Sequence, residues 1–166
     1  MKRPPFILST ADVPEEVGKY PGSDEQLSNG RAIGKAAGLQ KIGVHIERLQ
    51  PGRRLSYPHA EADEEEFVFV LEGVLDAWID GHRHRVQKGD FIAFPCGTGI
   101  SHTFINDGDT DATLLVGGEK SRKDSRLLYP RNPERRAEVG EDGWWHDAPE
   151  REIGPDPGVP RRGVKP

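Results

Sequence analysis

Cysteine is almost absent from this chain: Cys96 is the only one among 166 residues. A single thiol cannot close an internal disulfide, so the fold is not a disulfide-stapled scaffold, and the usage fits a reducing compartment. It also excludes soft-metal centres built from thiolates. Long apolar runs are missing too. The start, Met1-Lys2-Arg3-Pro4-Pro5-Phe6-Ile7-Leu8, is basic but lacks the apolar stretch of a signal peptide, and no later run approaches a membrane span. The expectation is a soluble, cytoplasmic protein without membrane contact. The net charge is -5, and the basic residues are scattered along the sequence. Nothing gathers them into the basic face or arm that nucleic acid requires, so no nucleic-acid partner is expected.

With 34% apolar residues, the chain can bury one core but not two substantial ones. Residues 1–38 read as an N-terminal arm with loops, broken by Pro4, Pro5, Pro14 and Pro21. Ser9 to Glu16 can cap one helical turn at most, because Pro14 and Gly18 keep it short. Residues 39–119 carry the strands. Ile42, Val44 and Ile46 alternate against Lys41, His45 and Glu47. After the Pro51-Gly52 turn, short apolar segments follow at 67–71, 75–79, 84–87, 91–94, 103–105 and 113–116, most of them separated by glycine or Asp-Gly turns. No helical period competes, so the pattern predicts an all-β sandwich or barrel. Residues 120–166 form an irregular tail, expected to be partly disordered, with Trp144-Trp145 as a segment that docks on the parent domain or a neighbour.

The chemistry is concentrated between Gly52 and Asn106. His59 and Glu61 stand two apart on an extended segment and share a face. Glu66 opens the strand that carries Val68 and Val70 on its own face, and His102 shares a face with Phe104 and Asn106. Imidazole together with carboxylate suits a divalent transition metal (iron, manganese, nickel, copper or zinc), whereas calcium would be held by oxygens alone. His82 and His84 flank the Asp80-Gly81 turn and read as surface. His45 precedes the cluster with nothing to tie it there, and Glu65 is the fallback ligand should the register slip by one.

These residues resemble the two motifs of the cupin superfamily, G-x5-H-x-H-x(3,4)-E-x6-G and G-x5-P-x-G-x2-H-x3-N. Gly52, His59, Glu66 and Gly73 follow the first, and Gly89, Pro95, Gly97, His102 and Asn106 follow the second. The gap from Gly52 to His59 is one residue longer, and two extra residues separate Gly97 from His102. Glu61 stands where the motif has its second histidine. The resemblance implies a small jelly-roll barrel, with His59, Glu61, Glu66 and His102 as metal-ligand candidates. Glu61 would be either a fourth ligand or a free general base beside a two-histidine, one-carboxylate set.

The implied function is a metal-dependent enzyme acting on a small oxygenated metabolite. Dioxygenase chemistry ranks first and sugar or sugar-phosphate isomerisation second. The alternative is a non-catalytic binding module, a sensor or scavenger with or without metal. A homodimer is the expected assembly.

Overall fold

The structure is a computed structural model that describes residues 3–161; Met1-Lys2 and the last five residues of the tail lie outside the described residues. Its strands are β1 (Glu16–Val17), β2 (Asn29–Arg31), β3 (Ile42–Leu49), β4 (Arg53–Arg54), β5 (Ala60–Glu61) and β6 (Glu66–Glu72). They continue with β7 (Val74–Ile79), β8 (His82–Gln87), β9 (Phe91–Phe94), β10 (His102–Asn106), β11 (Ala112–Glu119) and β12 (Leu127–Leu128). Two helices, α1 (Ile33–Ala36) and α2 (Arg136–Val139), are one turn each. No helix among the described residues is long and apolar enough to cross a membrane.

The strands form two main antiparallel sheets, ordered β1-β2-β3-β11-β6-β9 and β4-β10-β7-β8, and β12 pairs with β5 beside them. Alternation places one face of each sheet inward. Val68 and Val70 from β6, Leu114 from β11 and Leu49 from β3 meet Leu75, Ala77 and Phe104 from the smaller sheet in one continuous apolar core. Two sheets packed face to face in this way make the jelly-roll architecture that the strand spacing predicts.

Tight turns set the registers. Asp80 and Gly81 both have positive φ (45° and 82°), the signature of a two-residue hairpin that keeps the twist of β7 and β8. Gly73 turns β6 into β7 at φ 87°, and a Cβ there would meet Ala112 Cα at 2.8 Å, so the turn is reserved for glycine.

Two segments differ from the reading of the sequence. The arm, expected as loops, contributes β1 and β2 to the edge of the large sheet, and β2 pairs Asn29, Gly30 and Arg31 with Arg48, Glu47 and Ile46. Segment 31–38, also expected as loop, holds α1. Strands β1 and β2 are too short to order by local propensity, and they are held by pairing, β2 on β3 and β1 on β2. The tail lies against the domain. Trp144 packs with Tyr57 and Tyr129, and Trp145 packs with Ala60 and Ala62. Past Ile153 it crosses the outer face of the small sheet, where Trp78 Nε1 donates to the Asp156 carbonyl at 3.0 Å.

Asp156 also accepts from Arg83 Nε at 2.7 Å, and both side chains are nearly buried. Removing one member of such a pair leaves the other charge uncompensated. Asp156→Ala is therefore expected to lower stability by about 2 to 3 kcal/mol, below the full value for a buried pair because Asp76 and Asp107 also face Arg83. Urea denaturation checks this; a loss within about 0.5 kcal/mol would place the tail off the sheet.

Candidate metal centre

His59 and His102 are joined through their backbones. His59 N donates to the His102 carbonyl at 3.2 Å, and His102 N donates back to the His59 carbonyl at 2.9 Å, an isolated antiparallel bridge at the end of β10. Residues opposed in this way bring their side chains together, and the ring centroids stand 4.9 Å apart. The first residue of β6, Glu66, points inward on the same face as Val68 and Val70 and reaches the pair from the large sheet. One ligand atom from each of His59, Glu66 and His102 lies within 4.8 Å of the other two.

The rings are oriented for ligation. His59 Nδ1 is 2.8 Å from the Tyr57 carbonyl, and His102 Nδ1 is 3.4 Å from the Ile100 carbonyl. A carbonyl only accepts, so in both rings the proton belongs on Nδ1 and the lone pair on Nε2, the tautomer that metal-binding histidines adopt. His102 is further held by stacking on Phe94, with centroids 3.5 Å apart and planes 5° from parallel. Its Nε2 is buried without a hydrogen-bond partner, although Glu66 Oε1 is only 3.4 Å away. An orphaned buried nitrogen facing a carboxylate and a second imidazole is what a divalent transition metal would satisfy. The residues fit such an ion.

Electrostatics point the same way. Burial, with His102 alongside, lowers the His59 pKa to about 4, so the ring is neutral at physiological pH. Burial alone would raise Glu66, but the hydrogen bond and charge that His102 offers when protonated outweigh it and hold the carboxyl below its ordinary range. Both groups are thus in the protonation state that binds metal.

Glu61 stands beside this set, with Oε1 3.9 Å from His59 Nε2, and outside the three converging ligand atoms. Burial, reinforced by Glu66 and Glu64, raises its pKa to about 8. Glu65 is exposed, its backbone N–H bonds Glu119, and it is not among the three converging ligand residues. His82 and His84 lie exposed on β8, and Asn106 is buried, donating to the Leu49 and Thr110 carbonyls.

The centre opens into a cavity of about 780 Å³, within the size range of small-molecule sites. Two lining residues, Glu64 and Glu47, escaped the reading of the sequence, which noted His45 as a candidate for the cavity wall without tying it to the cluster. Glu64 is buried, and one of its oxygens has no partner while the other accepts from Ser121. His45 and Glu47 project inward from β3 and face each other at 3.6 Å, with Glu47 also accepting from Ser28 at 2.7 Å. The parity of His45 with buried Leu49 on β3, opposite to Ile42, Val44 and Ile46, turns it inward. Burial holds the Glu47 carboxyl above its ordinary range.

The Glu61 shift has a consequence for stability. In the metal-free protein the folded state keeps the Glu61 proton up to about pH 8, whereas the unfolded chain releases it near 4.5. The unfolded state therefore binds fewer protons in that window, and stability falls as pH rises through it. Glu61→Gln removes this loss. In chelator-treated protein its stability relative to the parent is expected to improve steadily from pH 5 to about pH 8; a pH-independent difference would contradict the assignment.

The match to known proteins agrees with this geometry. Residues 45–118 match the family model described as Cupin domain. A solved structure described as a sugar phosphate isomerase of the cupin superfamily, from Silicibacter pomeroyi, is 33% identical with a TM-score of 0.68, over 74% of this chain and 80% of that one. A germin-like protein, subfamily 2 member 1, from Arabidopsis thaliana is 34% identical over 97 residues, 54% of this chain and 43% of that protein. Quercetin 2,3-dioxygenase from Bacillus subtilis is 31% identical over 77 residues, 46% of this chain and 21% of the enzyme. The chain spans less than half the length of the germin-like protein and of the dioxygenase. With its two facing sheets, its bridged histidines and these matches, the chain belongs to the cupin superfamily.

Proposed function

We propose that this protein is a metal-dependent enzyme that moves protons on a small oxygenated metabolite, an isomerase acting on an α-hydroxycarbonyl compound. The observation that carries the reading is the position of Glu61, a carboxyl beside the three ligand atoms but not among them. His59, Glu66 and His102 would hold the ion, and the chemistry it supplies when bound is polarisation of the carbonyl oxygen. Glu61 is within reach of a substrate seated against those ligands and takes the proton from the hydroxyl-bearing carbon. The same carboxyl returns it to the former carbonyl carbon, while the hydroxyl proton passes between the two oxygens. No oxidant enters the balance. His45 and Glu47 offer a second proton-carrying pair on the β3 wall, and Leu55 and Val116 line the same space with apolar surface that limits water. Similarity to the Silicibacter pomeroyi protein described as a sugar phosphate isomerase supports this reading.

Oxygen chemistry is the second reading. His59, Glu66 and His102 would hold an ion as two histidines and one carboxylate, a set suited to activating dioxygen, and the similarity to quercetin 2,3-dioxygenase is in its favour.

Anaerobic assays of metal-loaded protein against a panel of aldoses, ketoses and other α-hydroxycarbonyl compounds separate the two. An isomerase keeps its turnover without oxygen. Glu61→Gln is expected to retain the metal and lose turnover by about a hundredfold or more, the usual weight of a positioned acid–base group. Turnover that stops when oxygen is removed would favour the second reading; Glu61→Gln at parental rate would overturn the first.

A further inference from the structure

We infer that the cavity is built for an uncharged, hydroxyl-rich substrate and rejects phosphate esters. The inference rests on the proposed small-molecule site and names its substrate class.

A phosphate site needs cations or free backbone amides: arginine forks, a lysine, or the open N-terminus of a helix. This cavity supplies almost none. Among the described residues lining it there is no arginine, and its one lysine, Lys35, is exposed at the rim. The lining carboxylates are Glu16, Glu47, Glu61, Glu64, Glu66 and Glu119. Where these are ionised they repel an anion. Where burial keeps one protonated it is still no cation, so the conclusion does not depend on their titration. The nearby helix α1 has four residues, too short to concentrate amide charge. Gly117 and Gly118 also face the cavity, but they sit on β11, which is laddered to β3 on one side and β6 on the other.

The chain does not lack cations; it places them elsewhere. Arg54 is paired in two-pronged fashion with Glu25, Arg83 with Asp156 and Asp107, Arg126 with Asp63, and Arg48 with Glu15 and Asp111. None of these arginines lines the cavity. What the cavity does offer is acceptors and hydroxyls: the partnerless oxygen of buried Glu64, the carboxylate of Glu47, and the side chains of Ser28, Ser56 and Ser121. Carboxylate oxygens accept from substrate O–H groups, the natural partners of a polyol. A bound ion would add positive charge at one end only, where Glu66 already opposes it and Glu61 and Glu64 stand near.

The test uses manganese-loaded protein freed of excess ion, with paramagnetic relaxation of ligand nuclei as the readout. Glucose and fructose are compared with glucose phosphate and fructose phosphate at equal concentration. The neutral sugars are expected to relax more strongly than their phosphates by about tenfold, equivalent to about 1.4 kcal/mol of discrimination. Glu119→Lys, which replaces a lining carboxylate by a cation at the exposed rim, is expected to narrow that gap by strengthening relaxation of the phosphates. Equal or stronger relaxation of the phosphates overturns the inference. So does relaxation of neither class, or a gap that Glu119→Lys leaves intact. A parent that retains no manganese instead overturns the metal reading on which the inference rests, and does so before any sugar is added.

Discussion

Two backbone hydrogen bonds between His59 and His102 are the constraint on which the site depends. They tie the first histidine, on an irregular segment before β5, to the second, at the start of the small sheet's inner strand. Once that bridge is closed, both rings are committed to the same end of the sandwich, and the large sheet has only to bring Glu66 to meet them. It does so because Glu66 is inward on β6 by strict alternation with Val68 and Val70. The carbonyls of Tyr57 and Ile100 and the stacked ring of Phe94 then fix which nitrogen faces the centre. The ligand geometry is thus set by the main chain before any ion arrives, which lowers the cost of organising a site around it.

Charge is sorted with similar consistency. The arginines that hold the arm, the tail and the sheet edges together are paired with acids away from the cavity, while the carboxylates that line it have no arginine partner among the described residues. The tail belongs to this arrangement as well as to the core. Leu127 and Leu128 of β12 pair with Glu61 and Ala60, and Trp145 packs on Ala60 and Ala62. Glu61 therefore owes its position to a segment some sixty residues further along the chain. That dependence links a structural tail to the proposed acid–base group.

The parts of this site carried by local pattern were legible in the sequence. His59, Glu66 and His102 sit at spacings that strand parity and the turn residues around them make readable, and Gly73 and Asp80-Gly81 announce their turns outright. What was not legible depends on pairings distant in sequence. Glu64 lies in an acidic run that reads as a solvated loop, yet it is buried and accepts from Ser121, far along the chain. His45 and Glu47 gain their meaning only from the cavity they share with residues of β5, β6 and β11. Strand β2 has the composition of a loop and is ordered by its partner. The sequence placed oxygen chemistry ahead of isomerisation because a facial triad was visible there, whereas the position of Glu61 beside the three ligand atoms and not among them was not.

The central claim is that His59, Glu66 and His102 hold a divalent transition metal. Elemental mass spectrometry on untagged protein purified without chelator, beside His102→Ala and Glu66→Gln, tests it most directly. The account predicts iron, manganese, nickel, copper or zinc at close to one ion per chain in the parent and loss of most of it in both variants. Folding of the variants is checked by the Trp-rich near-ultraviolet circular dichroism. A parent that stays metal-free after reconstitution, or variants that hold as much metal as the parent, would contradict it.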